Sequence, residues 1–410
     1  MRPAAVLDEV WREDWGRLLG QLMSRFRRAD LVEDALAEAF AQAAEQWGRV
    51  GVPENPPAWL REVARRRILD ALRREATAAS KSPLLAAGLA WAAEAATPLP
   101  GADVDERLAL LFMATHPALA EDVRPALALR FVLGVPTSEI AALFLVPTPT
   151  MAARLTRAKA RLASAGIPFA VPDLDRWPER VDEVARAIYL AFTSGYAPVG
   201  GQEVVRLRVA GEAVRLAVLA SELLPGSPVL EALTALLQLQ HARRDARSDR
   251  GRLILLADQD RSLWHADEIE AGVARLAALS PGSGYAEELR LQALIAAFHS
   301  TAGTAEATDW HALARTYARL EALTGSPIVR LNRAVAVAEY AGPAAGLALL
   351  AEVAKQLPGH HRVALVRAEL LRREDDVVGA VSAYRIALEL CPSGTERDHI
   401  IARLAELERA

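Results

Sequence analysis

The stretch Gly134-Val135-Pro136-Thr137-Ser138-Glu139-Ile140-Ala141-Ala142-Leu143-Phe144-Leu145-Val146-Pro147-Thr148-Pro149-Thr150-Met151-Ala152-Ala153-Arg154-Leu155-Thr156-Arg157-Ala158-Lys159-Ala160-Arg161-Leu162 decides the fold class. It predicts two helices around a tight turn at Pro147. Thr137 or Ser138 is placed to cap the first, whose Ile140, Ala141 and Phe144 face inward. Thr148 is placed to cap the second, with Pro149 at its first position, where a missing N–H costs nothing. This is helix-turn-helix grammar.

The second helix carries Arg154, Arg157, Lys159 and Arg161, and no acidic residue lies between Pro149 and Leu162. Met151, Leu155, Ala158 and Leu162 make its apolar face, so the cations are left to meet phosphates while the first turn meets base edges. A solvated basic helix is the alternative reading.

Working outward, Asp30 to Trp47 is a long helix with an apolar stripe and an acidic face containing Glu33, Asp34 and Glu38. After the proline-bounded loop Gly51–Pro57, a helix follows in which Trp59, Leu60, Val63, Ala64, Ile68 and Leu72 form the core stripe. Its arginines, from Arg61 to Arg74, lie outside that stripe. A basic helix beneath such a loop suits a strand with unstacked bases, and a merely solvated basic face is an equal reading.

Alanine, leucine, arginine and glutamate dominate, and β-branched alternation is scarce, so the chain is expected to be all-α. The strand-like run is Gly251–Leu256. Residues 1–75 form a first helical domain and 76–103, ending in Thr97-Pro98-Leu99-Pro100-Gly101, a linker. Residues 104–167 form the helix-turn-helix domain, and 175–410 a larger helical extension. In the last part, about 309–410, Leu331/Leu365, Ala334/Ala368, Gly346/Ala380 and Pro358/Pro392 match at an offset of 34, the tetratricopeptide (TPR) period. Trp310 to Leu323 is the helix ahead of these units. Two ordinary helical hairpins of equal length are the alternative.

Of the 410 residues 48 are basic and 52 acidic, and the net charge of −4 gives no global sign of a nucleic-acid binder. The acidic excess belongs to 171–410, whereas the charges of the first two domains are segregated by helix. A single cysteine, Cys391, excludes an internal disulfide and points to a reducing, cytoplasmic setting. No segment approaches the ~18 apolar residues of a membrane helix, so a soluble protein with no membrane partner is expected. No metal-ligand spacing, phosphate loop or nucleophile elbow appears, so no catalytic residue, metal or cofactor is assigned. Asp258-Gln259-Asp260-Arg261, with His241, Arg243, Arg244, Asp245 and His265 in the same region, is read as an ion-pair network locking helices, and Trp264 and Tyr196 as packing residues.

The ordered set of these pieces resembles the extracytoplasmic-function sigma factors of bacterial RNA polymerase. Val32-Glu33-Asp34 to Phe40 is similar to the region-two polymerase-binding helix, Ala58-Trp59-Leu60 through Arg73-Arg74 to the helix that reads and melts the −10 element, and 134–162 to the region-four reader of the −35 element. The extension, with Tyr189-Leu190-Ala191-Phe192-Thr193-Ser194-Gly195-Tyr196 and Asp258 to Trp264, resembles that of the subgroup with a C-terminal TPR-containing domain. The resemblance implies core RNA polymerase and promoter DNA as partners. Asp34, Glu38 and Phe40 would dock on polymerase, Asn55, Trp59, Arg61, Arg65, Arg66 and Arg73 would hold the melted −10 strand, and Thr148, Thr150, Arg154, Arg157, Lys159 and Arg161 would meet the −35 groove and its phosphates. Tyr189, Tyr196, Asp258, Asp260, Arg261 and Trp264 would make contacts in the extension, whose TPR-like surface would take a protein or peptide partner. Departures from the family pattern occur at Arg66, Leu145, Ala152 and Thr193-Ser194, so promoter sequence does not transfer from other members. The competing class is a helix-turn-helix regulator whose TPR-like region senses a ligand or partner.

Overall fold

The computed structural model describes residues 3–79, 106–144, 146–172, 174–196, 203–249, 252–391 and 395–407. By contact the chain divides into two compact units, Met1–Gly195 with Arg208–Pro225, and Tyr196–Leu207 with Gly226–Ala410. The described residues are helical almost throughout, as the all-α reading requires.

In the first unit α1 (Pro3–Phe26), α2 (Ala29–Val50) and α3 (Pro56–Ala79) pack pairwise around Trp15, Leu19, Leu36, Phe40, Leu60, Ala64 and Ile68, all essentially without solvent contact. The apolar stripes read from the helical spacing are the ones buried. Helix α3 runs on to Ala79, so the start expected for the linker at 76 is corrected, while residues 80–103 of that linker lie outside the described residues.

Helices α4 (Glu106–Ala114), α5 (Arg124–Leu133), α6 (Thr137–Leu143) and α7 (Thr148–Ser164) follow, and α1 packs against both α4 and α5. Small residues allow that approach. A Cβ on Gly16 would collide with the Val132 carbonyl oxygen, and one on Gly20 would come within 2.5 Å of the Glu106 Cβ. At the far end of α5, Gly134 takes the left-handed conformation (φ 69°) with its α-carbon against the Trp15 ring, where any side chain would clash.

Helices α6 and α7 form the expected pair around Pro147, with Ile140 and Ala141 buried and Phe144 half-buried. The capping differs from expectation. Thr137 and Thr148 are the first helical residues, preceded by Pro136 and Pro147 at the cap positions, and neither helix has a side-chain cap. The Pro136 carbonyl accepts the N–H groups of Glu139 and Ile140, and the Pro147 carbonyl those of Thr150 and Met151, at 2.9–3.1 Å. Leu145 of the turn lies outside the described residues. The unit continues past residue 175 through α8 (Trp177–Tyr196), whose Trp177 ring lies 6.4 Å from Phe112, whose Arg180 donates to the Phe112 carbonyl and whose Glu183 pairs with Arg124. The later part of α9 (Glu203–Leu223) belongs to it as well.

The second unit comprises α10 (Pro228–His241), α11 (Ala266–Ala277), α12 (Gly284–Thr301), α13 (Trp310–Thr324), α14 (Pro327–Ala341), α15 (Pro343–Gln356), α16 (His361–Arg373), α17 (Val377–Leu390) and α18 (Thr395–Leu407). One antiparallel pair, Ser248–Asp249 with Arg252–Leu253, occupies part of the strand-like run. The helices α14 and α16 begin 34 residues apart, as do α15 and α17. Each pair is a tight hairpin, and a Cβ on Gly346 would lie 2.7 Å from that of Ala338 and 2.9 Å from the Ala334 carbonyl oxygen. Pro392, one of the residues carrying the period, lies outside the described residues.

Candidate functional site

Helix α7 buries Met151, Leu155, Ala158 and Leu162 and turns Thr148, Thr150, Arg157 and Arg161 to solvent. Arg157 and Arg161 face no carboxylate partner among the described residues, which leaves them open to anions. Arg154 is half-buried and lies 3.5 Å from Asp122. Lys159 does not stand with these cations, and the expectation that it meets phosphate is corrected for this arrangement. Its side chain follows Leu155 by one helical turn and is carried to the buried edge of the apolar face. There its Nζ donates to Glu33 Oε2 at 2.9 Å and Asp34 Oδ1 at 2.8 Å.

Glu33 is the residue that the sequence pattern concealed. It sits in an acidic run yet is only 5% exposed, because it borders Val32 and Leu36 on the inner face of α2. Arg130 of α5 donates to its Oε1 from Nε at 2.7 Å, stacks 5.1 Å from the Trp15 ring, and with Lys159 encloses the carboxylate. Burial would push the Glu33 carboxyl up, but the two cations outweigh it and hold it below its ordinary range. Burial likewise disfavours the Lys159 ammonium, and its carboxylate partners override that and raise it. Asp34 goes up, by burial first and by the charge of Glu33 beside it, because one lysine does not offset two acids. The remaining signal is carried by α1: Trp11 Nε1 donates to the Gly134 carbonyl at 3.1 Å and Trp15 Nε1 to that of Arg130 at 3.0 Å, closing the C-terminal end of α5.

Asp34 is therefore engaged on one side and partly open on the other. Glu38 is exposed and bonded to Arg67 of α3 at 2.5 Å. Phe40 is corrected outright: at 2% exposure it is core, with its ring 4.7 Å from Trp11 and 5.7 Å from Trp15, and offers no docking surface.

On α3, Asn55 is the helix cap, accepting the Ala58 N–H on Oδ1 at 3.1 Å. Its prolines at 56 and 57 then start the helix where N–H groups are dispensable. Trp59 is half-buried, edge-on to Trp47 with ring centroids 5.6 Å apart. Arg61 is exposed and reaches Gln21 at 3.3 Å. Arg65 and Arg66 share Glu62, which their hydrogen bonds lower to about 2, and Arg73 lies 3.2 Å from Asp70. Pairs this exposed contribute little and exchange readily for phosphate.

In the extension, Tyr189 is half-buried in α8, and the side chain of Tyr196 lies outside the described residues. The stretch 258–261 is not itself an ion-pair network. Asp260 caps the turn Arg261–Leu263 by accepting the Ser262 N–H at 2.9 Å, and Asp258 is exposed. Arg261 donates to the carbonyls of His299 and Ala302 at 2.9 and 2.7 Å, closing the end of α12, with its guanidinium 4.3 Å from the Trp264 ring. The expected network forms beside it: Glu268 binds His241 and Arg244, and His265 binds Arg244 and Asp245. Arg261, Thr308, Trp310, Tyr317 and Glu369 line a cavity of about 640 Å³ in this unit. Among the described residues no group of side chains is arranged to hold a metal ion, and no helix is long and apolar enough to cross a membrane.

Three family models match this chain: Sigma-70 region 2 over residues 12–77, Sigma-70 region 4 over 109–162, and a family of unknown function (DUF6596) over 180–280. An uncharacterized protein of Rhizobium meliloti (strain 1021) is 40% identical over 397 residues, covering 95% of this chain and 93% of that protein. No solved structure matches this chain.

Proposed function

Since this chain belongs to the extracytoplasmic-function type of RNA polymerase sigma factors and carries a C-terminal extension, we propose how its residues divide promoter recognition among its helices. It is a non-enzymatic factor for transcription initiation that binds core RNA polymerase and promoter DNA. Asp34 and Glu38 on α2 dock on polymerase. Trp59, Arg61, Arg65, Arg66 and Arg73 on α3, below the loop fixed by Asn55, hold the melted −10 strand. Thr148, Thr150 and Arg154 read the −35 groove, with Arg157 and Arg161 on phosphates.

The observation that carries this reading is the exposed pair Arg157 and Arg161, without a carboxylate partner among the described residues, beside the exposed first turn of α7, the disposition a major-groove reader needs. The hairpins of α14–α17 are TPR-like repeats, and the cavity along them takes a protein or peptide that sets the activity of the factor. The repeat of 34 residues in helix starts and the close approach at Gly346 support that assignment.

Run-off transcription with core polymerase on a genomic promoter library tests the reading. Promoter-dependent transcripts are expected from the full chain, and their absence would sink it. Deletion of 226–410 is expected to change promoter output, and an unchanged output removes the modulatory role of the extension.

A further inference from the structure

We propose that the second unit holds a binding site for a small apolar carboxylic acid, seated in its cavity of about 640 Å³ with the carboxylate on Arg261. The inference goes beyond the partner assigned to the hairpins α14–α17, because the polar groups that carry it lie outside them. Arg261, His299, Thr308 and Tyr317 come from α12, α13 and the segments beside them. A cavity of this size is in the range that takes an organic molecule whole.

The lining offers an apolar body site and a separate acid site. Leu313, Val335, Ala336, Leu365, Val366 and Leu370 supply the apolar surface, and the Trp310 ring adds to it, edge-on to His299 with centroids 5.5 Å apart. The charged groups of α14, α16 and α18 neutralise one another: Arg373 bonds Glu339 at 2.6 Å, Arg372 bonds Glu369 at 3.2 Å and Arg403 bonds Glu406 at 3.0 Å. Arg261 differs from these. Its Nη1 donates to the carbonyls of His299 and Ala302, while Nε and Nη2 have no hydrogen-bond partner among the described residues. A guanidinium with donors to spare matches a planar acceptor with two oxygens. Glu306, whose charge acts on this cation, is exposed and bound instead to its own backbone N–H and to Thr304.

Three neutral lining groups also lack hydrogen-bond partners among the described residues: the hydroxyl of Thr308, a residue only 5% exposed, the hydroxyl of Tyr317 and the imidazole of His299. Burial, with Arg243 and Arg261, holds His299 down to about 4, so its ring is uncharged, and burial lifts Tyr317 to about 12 against the pull of Arg243. Two cations acting on desolvated, unpaired groups make this part of the cavity favourable to an anion. An unsatisfied buried hydroxyl is costly, and a ligand oxygen relieves that cost.

Isothermal titration calorimetry of the full chain with octanoate, phenylacetate and indole-3-acetate, each against its primary amide, tests this. Saturable binding is expected for at least one acid, about tenfold or more tighter than its amide, since the amide lacks the charge that Arg261 meets. The same acid is expected to raise the melting temperature of the chain. Tyr317→Phe removes one donor, and Val335→Phe fills part of the body site. Each is expected to weaken that acid about tenfold, with circular dichroism showing that the variants fold. No saturation by any of the acids at about 10 mM, equal affinity for acid and amide, or unchanged affinity in both folded variants overturns the proposal. A peptide ending in tryptophan that binds more tightly than every free acid assigns these groups to the peptide partner and likewise overturns it. Binding is read on the factor by itself, so this inference and promoter recognition stand or fall separately.

Discussion

At the scale of single residues, the decisive fact is that a charge belongs to whichever neighbour desolvates with it. Glu33 and Asp34 are consecutive acids, yet one is buried between Arg130 and Lys159 and the other straddles the surface. The pH dependence follows from the directions of their shifts. Glu33 is held below its ordinary 4.5, so its contribution is present above that value and lost as pH falls through its lowered native value. Lys159 is held above its ordinary 10.5, so its contribution is present below that value and lost as pH rises beyond. Asp34, shifted upward, opposes the pair weakly above its ordinary 3.8. The stability of the first unit against urea is therefore expected to fall below pH 4.5, and Glu33→Gln to flatten that limb. Asn55→Ala is expected to cost about 1 kcal/mol through loss of the α3 cap, read as a lower urea midpoint for the same unit.

At the scale of elements, α7 divides its cations between two tasks according to helical phase. Lys159 follows Leu155 by four residues and lands at the packed edge, while Arg157 and Arg161 fall on the open face. Arg157→Ala and Arg161→Ala are each expected to weaken promoter binding across sequences and to lower the salt slope by about 1, measured by holoenzyme titrations at several salt concentrations. The apolar phase of α7 was legible in its residues, but the fate of Lys159 was not, because its partners lie more than a hundred positions earlier. The caps differ from the local expectation because Pro136 and Pro147 occupy the cap positions, which places Thr137 and Thr148 one residue inside their helices and leaves each entry without a side-chain cap. In the hairpin α14–α15, Gly346→Val is expected to destabilise the second unit by about 1–3 kcal/mol, seen as a lowered melting temperature, since its Cβ would press on Ala338.

At the scale of the whole molecule, the first compact unit extends beyond the helix-turn-helix. Helix α8 covers Phe112 through Trp177 and Arg180, and Arg215 of α9 donates to the Arg12 carbonyl at 2.5 Å. A fragment ending near residue 170 is therefore expected to expose apolar surface and aggregate, whereas one ending at 225 remains monomeric, as gel filtration with light scattering would show. The second unit contains a different pH limit. Burial, aided by Arg243 and Arg261, pushes His299 down to about 4. An unfolded histidine near 6.5 binds a proton that the native one refuses, so the stability of this unit is expected to fall as pH drops from 6.5 toward 4, and His299→Gln to remove that slope.

The amino-acid sequence by itself determined the helical class, the order of the helix pairs and the period of 34 residues, because each depends on local spacing: apolar residues at helical intervals, prolines at helix starts and small residues at repeated offsets. It also located the two basic helices, since charge along one helix face is a local property. Tertiary structure decided which of those charges are free. Phe40 became core because Trp11 and Trp15 close over it, and Arg261 became a clamp on carbonyls because the end of α12 is brought to it. Lys159 and Glu33 became mutual partners because α2 and α7, more than a hundred residues apart in the chain, pack directly on one another. Burial and ion pairing depend on what the rest of the chain places alongside, and spacing along one helix does not contain that information.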